Sequence, residues 1–162
     1  MKWRGACNLA HRFDEAVGYA ESARAIDRTN AAALYNHSEI YEHKKDYANA
    51  AALWKEAMIV EEANRKWIAN LEESFQMEGY PGFVRAKIEW LENLAGKDNV
   101  YPTDLAKGYA ALGANEKAVE WLEKGAAARV PDMLSVKYAP AFDNVRNDGR
   151  FQAILQKMNF PR

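Results

Sequence analysis

The sequence predicts an all-α fold, a solenoid of antiparallel helix pairs that ends in a C-terminal capping helix. Alanine accounts for 29 of the 162 residues, whereas Val, Ile and Thr together number only 16. Because alanine is the best helix former and β-branched residues favour strands, this composition indicates closely packed helices. The second observation is a residue pattern that returns at a fixed interval along the chain. A long, regular interval of this kind is typical of stacked helix pairs.

The repeat is clearest between the first and second units. Three pairs of residues, each 34 apart, carry it: Phe13 and Tyr47, Ala16 and Ala50, Ala20 and Trp54. Two periods after the second unit, Tyr109 and Ala118 match Tyr41 and Ala50. A degenerate unit lies between, with Val84 and Leu91 where small residues are usual. We therefore predict a single domain, 1–162, with four units at about 1–30, 31–64, 65–98 and 99–130 and a cap at 131–162.

Each unit is expected to hold two helices. In the second unit an apolar stripe at helical spacing runs over 34–41, and another runs over 50–57. In the third unit Asn64 is the best helix cap, and the sequence Gly79-Tyr80-Pro81-Gly82 predicts the turn between the helices. In the fourth unit Pro102 suits a first helical turn and Gly113 suits the turn that follows.

The repeated residues resemble the tetratricopeptide repeat. The second unit offers Leu34, His37, Ser38, Tyr41, Tyr47, Ala50, Trp54 and Ala57; the first offers Phe13, Ala16, Ala20 and Ala23; the fourth offers Leu105, Ala106, Tyr109, Gly113, Ala118 and Leu122. The proline that ends the family's repeat is missing from all four units. The resemblance implies a right-handed superhelix whose concave surface is lined by the first helix of each unit. In that family the groove commonly holds a peptide or a partner helix.

The two ends of the chain carry separate expectations. Residues 131–162 resemble the end of bacterial multidomain signalling and regulatory proteins in which such repeats follow an effector module. A helix over about 148–158 should cover the last repeat with Phe151, Ile154 and Leu155, and present Arg150, Gln152 and Lys157 to solvent. The first unit lacks the opening residues of a full repeat. We therefore expect a longer natural chain, or an N-terminal edge that a second copy covers as a homodimer.

Charge and composition exclude several classes of function. The 22 basic and 23 acidic residues leave a net charge of -1, which argues against binding to nucleic acid or to a membrane surface. Cys7 is the only cysteine, so neither an internal disulfide nor a multi-cysteine metal site is possible. The sequence has no apolar run long enough to span a membrane and no secretory leader. A cytoplasmic location is the expectation.

The sequence carries no convincing catalytic or metal-binding pattern. Glu39 and His43 stand one helical turn apart, as two metal ligands would, but no third ligand is spaced to join them. A solvated helix face is the simpler interpretation. The turn at Gly79–Gly82 lacks the preceding strand and the lysine of a phosphate-binding loop. Trp54, Trp90 and Trp121 occupy core positions of second helices. We expect no enzyme activity, no cofactor and no metal site.

The resemblance places a partner groove along the first helices. The candidate residues are Tyr35, Glu39, Glu42 and His43 in the second unit, Lys66, Glu73, Gln76 and Met77 in the third, and Lys107 in the fourth. Three carboxylates beside an aromatic ring and a thioether suit a basic, partly apolar peptide or helix. The three carboxylates are expected to be exposed.

Two functions follow from these observations. The first is a non-catalytic protein-interaction module or scaffold that binds a protein or peptide partner in this groove. The alternative is a regulatory or sensor arm of a bacterial signalling or transcription-regulatory protein, acting through a small ligand or self-association.

Overall fold

A computed structural model describes residues 13–95 and 101–158 of the chain. Within these ranges there are eight α-helices and no strand, so the predicted all-α class is confirmed. The helices are α1 Phe13–Ile26, α2 Ala31–His43, α3 Tyr47–Val60, α4 Arg65–Glu78, α5 Tyr80–Ala95, α6 Pro102–Ala111, α7 Asn115–Ala128 and α8 Gly149–Lys157. Two short 3-10 helices, Pro131–Ser135 and Pro140–Phe142, lie between α7 and α8. Of the helices described, none is long and apolar enough to cross a membrane.

The period found in the sequence is also present in the helix boundaries. The helices α1, α3 and α7 begin at residues 13, 47 and 115, and they end at residues 26, 60 and 128. Successive boundaries therefore differ by one or two whole periods. Alanine at the crossing position of these helices, at Ala16, Ala50 and Ala118, is fully buried. A side chain of one methyl group lets neighbouring helix backbones approach closely at that position.

The turns within the repeats share a left-handed residue. Positive φ angles occur at Lys45 (60°), Gly79 (63°) and Gly113 (73°), which are again separated by one period each. Glycine adopts this conformation without a steric penalty, whereas lysine does not. The turn predicted at Gly79–Gly82 is shorter than expected: Gly79 alone separates α4 from α5, which begins at Tyr80. Gly113 forms its turn as predicted.

The chain divides into two compact bodies, Met1–Ala86 and Lys87–Arg162. In the N-terminal body α1 packs on α2, α2 packs closely on α3, and α3 packs on α4. Asparagine caps two of these helices: Asn30 Oδ1 accepts from the Ala33 amide and Asn64 Oδ1 accepts from the Lys66 amide, both at 2.9 Å. The cap predicted at Asn64 is thereby confirmed. Such a cap satisfies an amide that the first helical turn otherwise leaves without a partner.

In the C-terminal body α6 pairs with α7, and α7 also packs on α8. Pro102 occupies the first turn of α6, as predicted. The C-terminal helix is close to its predicted range, with Asp148 as its N-cap. Its two predicted faces are confirmed, since Phe151 and Ile154 are buried and Leu155 is half-buried, while Arg150, Gln152 and Lys157 are exposed. Arg150 also makes two hydrogen bonds, of 2.6 and 3.0 Å, to the carboxylate of Glu123 on α7.

Candidate functional site

The second-unit candidates lie on one face of α2, the helix that Asn30 caps. Tyr35, Glu39, Glu42 and His43 recur at helical spacing, and all four are half-buried. The side chain of Glu39 is 21 % exposed and that of His43 14 %. The expectation that Glu39 and Glu42 are exposed was therefore wrong. Side chains of α1 and α5 contact this face and shield it partly from solvent.

Glu42 is held by a tyrosine from a distant part of the chain. The Tyr80 hydroxyl, in the first turn of α5, donates a 2.9 Å hydrogen bond to Glu42 Oε2. The Tyr80 ring stacks on Tyr47 with a centroid distance of 3.9 Å and an angle of 16°. Burial is the main cause that raises the pKa of Tyr80 far above its ordinary value, and Glu42 and Glu39 raise it further. Tyr80 therefore remains a hydrogen-bond donor throughout the physiological pH range.

Glu39 and His43 form a second contact on the same face. The His43 Nε2 atom lies 3.6 Å from Glu39 Oε1, one helical turn away. The His43 ring is also covered, because the Phe13 ring of α1 stacks on it at a centroid distance of 5.3 Å. The interpretation of Glu39 and His43 as a solvated helix face was therefore wrong. We call Glu39, Glu42, His43, Tyr47 and Tyr80 the acidic–aromatic cluster.

Tyr35 is engaged differently from its neighbours on α2. Its ring packs on Trp54 of α3 with a centroid distance of 4.4 Å, and its hydroxyl donates to Glu61 Oε2 at 2.7 Å. Tyr35 also packs against the core formed by Leu34, Leu53 and Ala57. It therefore belongs to the α2–α3 contact as well as to the outward face.

The third-unit candidates form an exposed row on α4. Lys66, Glu73, Gln76 and Met77 are all exposed, and 75 % of the Met77 surface is accessible. The Lys66 ammonium lies 5.6 Å from the centroid of the Trp67 ring. The α4 row thus combines charge, an amide and a thioether on one helix of the N-terminal body.

Lys107 belongs to the C-terminal body. Its ammonium group lies 3.5 Å from Asp104 Oδ1 on the same helix, α6. The structure therefore brings Glu39, Glu42 and His43 together on α2. Tyr35 packs on α3 instead, the α4 row lies on a different helix, and Lys107 lies in the C-terminal body.

Other kinds of site have little support in the described part of the chain. Over 13–95 and 101–158 there is no group of three His, Asp or Glu side chains that could hold a metal ion. A shallow depression of about 580 Å³ lies at the junction of α3 and α4, lined by Ile59, Glu62, Ala63, Asn64, Arg65 and Ile68. Cys7 and His11, and the edge proposed for a homodimer, lie outside the described residues.

The three tryptophans expected in the core do not share one environment. Trp54 and Trp90 are buried as predicted. Trp121 is half-buried instead, and the Lys124 ammonium lies 3.9 Å from its ring centroid. The core position predicted for Trp121 is therefore only partly correct.

Sequence reasoning missed the aromatic part of the cluster. Tyr80 was assigned to a turn, and Tyr47 was named only as a residue of the repeat pattern. Tyr80 directly follows the turn glycine, but no local pattern links it to Glu42, which lies 38 residues earlier. No family model, curated protein or solved structure matches this chain.

Proposed function

We propose that this chain is a non-catalytic protein-interaction module built from tetratricopeptide-like helix pairs in a right-handed solenoid. Its partner is a basic, partly apolar peptide or helix, which binds the outward faces of α2 and α4. Support for the repeat comes from helix boundaries, buried alanines and left-handed turn residues that all recur at the same interval. Packed helix pairs of this kind leave the first helix of each pair available to a ligand.

The acidic–aromatic cluster is the observation that carries the proposal. Glu42 accepts a hydrogen bond from Tyr80, which holds its carboxylate in place, and the Glu39 carboxylate lies 3.6 Å from His43. The stacked rings of Tyr47 and Tyr80 stand next to them. Carboxylates together with aromatic rings attract lysine and arginine through charge and through cation–π contact.

The α4 row supplies the apolar part of the proposed surface. Met77 is accessible over most of its surface and stands three residues before Tyr80, across the one-residue break at Gly79. A methionine side chain adapts to partners of different shape because it is unbranched and polarizable. Glu73 and Gln76 extend the polar contacts along the same helix.

The experiment compares two synthetic amphipathic helical peptides by fluorescence anisotropy. One peptide carries lysine and leucine, and the other carries glutamate and leucine in the same pattern. We expect the protein to bind the lysine peptide and not the glutamate peptide. The double variant Glu39→Gln with Glu42→Gln should bind it about tenfold more weakly, which corresponds to roughly 1.4 kcal/mol. Glutamine preserves an acceptor for the Tyr80 hydroxyl.

The matched control is Glu116→Gln with Glu120→Gln on α7, which changes the net charge equally at two exposed positions. This control should bind the lysine peptide as well as the wild type does. Equal loss in both double variants would mean that net charge alone drives the binding. If neither peptide binds, and small molecules instead raise the melting temperature, the sensor-arm alternative is favoured.

A further inference from the structure

A buried histidine of α2 stands three residues before Ile40, the residue on which Ala16 and Ala20 of α1 pack. His37 of α2 is 4 % exposed, and neither of its ring nitrogens has a hydrogen-bond partner among the described residues. Its ring stacks on Tyr41 at 5.0 Å. Unpaired buried polar groups are rare in folded proteins and each requires an explanation. The adjacent Ser38, by contrast, is fully buried and donates to the Ala50 carbonyl.

Charged groups from both neighbouring helices act on His37. Glu21 and Arg24 of α1 and Glu56 of α3 influence its ionisation. Arg24 and Glu56 also pair with each other through two hydrogen bonds of 2.7 and 2.8 Å, which tie α1 to α3. The remaining α1–α2 contact is apolar: Ala16 and Ala20 of α1 pack on Ile40 of α2, and Phe13 and Val17 pack against the same cluster. The attachment of α1 therefore combines this apolar contact with a partly exposed ion pair.

Protonation of His37 destabilises the packed arrangement of α1, α2 and α3 in two ways. It places a positive charge at a buried position where no acceptor in the described part of the chain receives the new N–H group. It also introduces a second cation that repels Arg24, while the attraction of Glu21 and Glu56 offsets only part of the cost of burial. Burial lowers the pKa of His37 below its ordinary value of 6.5, so the docked arrangement favours the neutral ring. A state in which α1 has detached and His37 is hydrated has no such preference, so acid shifts the balance toward detachment.

We propose that His37 is a pH-sensitive latch that holds α1 against α2 and α3 when neutral and releases α1 when protonated. Release needs only local opening, because α1 packs on α2 while α2 keeps its closer packing on α3. The latch is independent of any partner. Where the proposed function also holds, release moves Phe13 away from His43 and opens that end of the acidic–aromatic cluster.

The test is hydrogen exchange by mass spectrometry on the full chain above and below pH 6.5, with rates corrected for intrinsic exchange. The wild type should lose protection in peptides from α1 at the lower pH while peptides from α3 keep theirs. His37→Leu, which packs but does not titrate, should retain α1 protection at both pH values. His37→Gln provides a second non-titrating variant if the leucine variant folds poorly.

His43→Gln is the second comparison, since it keeps His37 and removes the other histidine of α2, on whose ring Phe13 of α1 stacks. It should show the same acid-dependent loss in α1 as the wild type. Three results would overturn the latch. The wild type could keep its α1 protection in acid, both His37 variants could lose as much α1 protection as the wild type does, or α1 and α3 of the wild type could lose protection together. None of these measurements involves a peptide ligand, so they are separate from the test of the proposed function.

Discussion

The Ser38 hydroxyl donates a 2.8 Å hydrogen bond to the backbone carbonyl of Ala50, and both residues are fully buried. This bond crosses from α2 to α3 at the point where the two helices approach. Only a small residue at position 50 permits that distance, because a larger side chain would separate the backbones. The same position is fully buried at Ala16 and Ala118, so the crossing is a recurring feature of the repeat.

Enlarging Ala50 should be strongly destabilising. Ala50→Leu inserts three carbon atoms at the α2–α3 crossing and threatens the Ser38 hydrogen bond, and overpacking of this kind costs about 1–3 kcal/mol. Ala48→Leu is the control, since Ala48 is exposed on the same helix. Thermal denaturation of both variants provides the measurement. Equal melting temperatures would show that Ala50 does not lie at the crossing.

Replacing Lys45 by glycine should stabilise the protein. Lys45 has a φ of 60° at a turn position where the equivalent residues are Gly79 and Gly113. Lys45→Gly removes the steric cost of a left-handed side chain and should raise the free energy of unfolding by about 0.5–1 kcal/mol. The neighbouring Lys44 has a φ of -75°, so Lys44→Gly relieves no strain and should not stabilise. Urea denaturation that ranks Lys44→Gly above Lys45→Gly would refute this account of the turn.

Replacing two helical glycines by alanine should change the stability of the protein in opposite directions. A methyl group on Gly82 would overlap the Ser74 carbonyl oxygen, because α4 and α5 approach closely beside the Gly79 break. Gly82→Ala should therefore lower stability by about 1–3 kcal/mol. At Gly18 of α1 no described atom lies within 4 Å of the equivalent position, so Gly18→Ala should raise stability by about 1 kcal/mol. Chemical denaturation that gives both substitutions the same sign would contradict the α4–α5 packing.

Tyr109 should contribute to loss of stability in alkali. Burial, followed by a 2.6 Å hydrogen bond to Glu92, raises the pKa of Tyr109 from 10.0 to about 12. In the unfolded chain this tyrosine loses its proton near 10.0, while the folded protein retains it up to about 12. Its stabilising contribution is therefore complete below pH 10.0 and is lost as the pH rises toward 12. Across that range the free energy of unfolding should decline less steeply with pH for Tyr109→Phe than for the wild type. An equal slope in the two proteins would count against the Glu92 contact.

The helices were predictable because their signals are local. Asn64, Pro102 and Gly113 mark helix ends through their own backbone chemistry, and each is recognisable from the sequence alone. The left-handed conformation of Lys45 was harder to predict than its place between two helices, since glycine marks that conformation in the other repeats and lysine does not. The repeat pattern could therefore define the register without revealing every turn.

The acidic–aromatic cluster was only partly predictable for the opposite reason. Glu39, Glu42 and His43 share a face of one helix, so helical spacing brings them together. The contact between Glu42 and Tyr80 joins residues 38 apart and depends on how α5 begins after Gly79. The burial of Glu39 and Glu42 follows from such long-range contacts, which a helical period does not contain.

The central claim is that the faces of α2 and α4 bind a basic, partly apolar segment. The most direct measurement is mapping of amide chemical-shift changes by nuclear magnetic resonance as the lysine–leucine peptide is added. We predict that the largest chemical-shift changes fall on Glu39, Glu42, His43, Gln76 and Met77. These changes should reach a plateau as the peptide concentration rises. Changes confined to α7 and α8, or spread evenly over acidic residues without saturation, would contradict the claim.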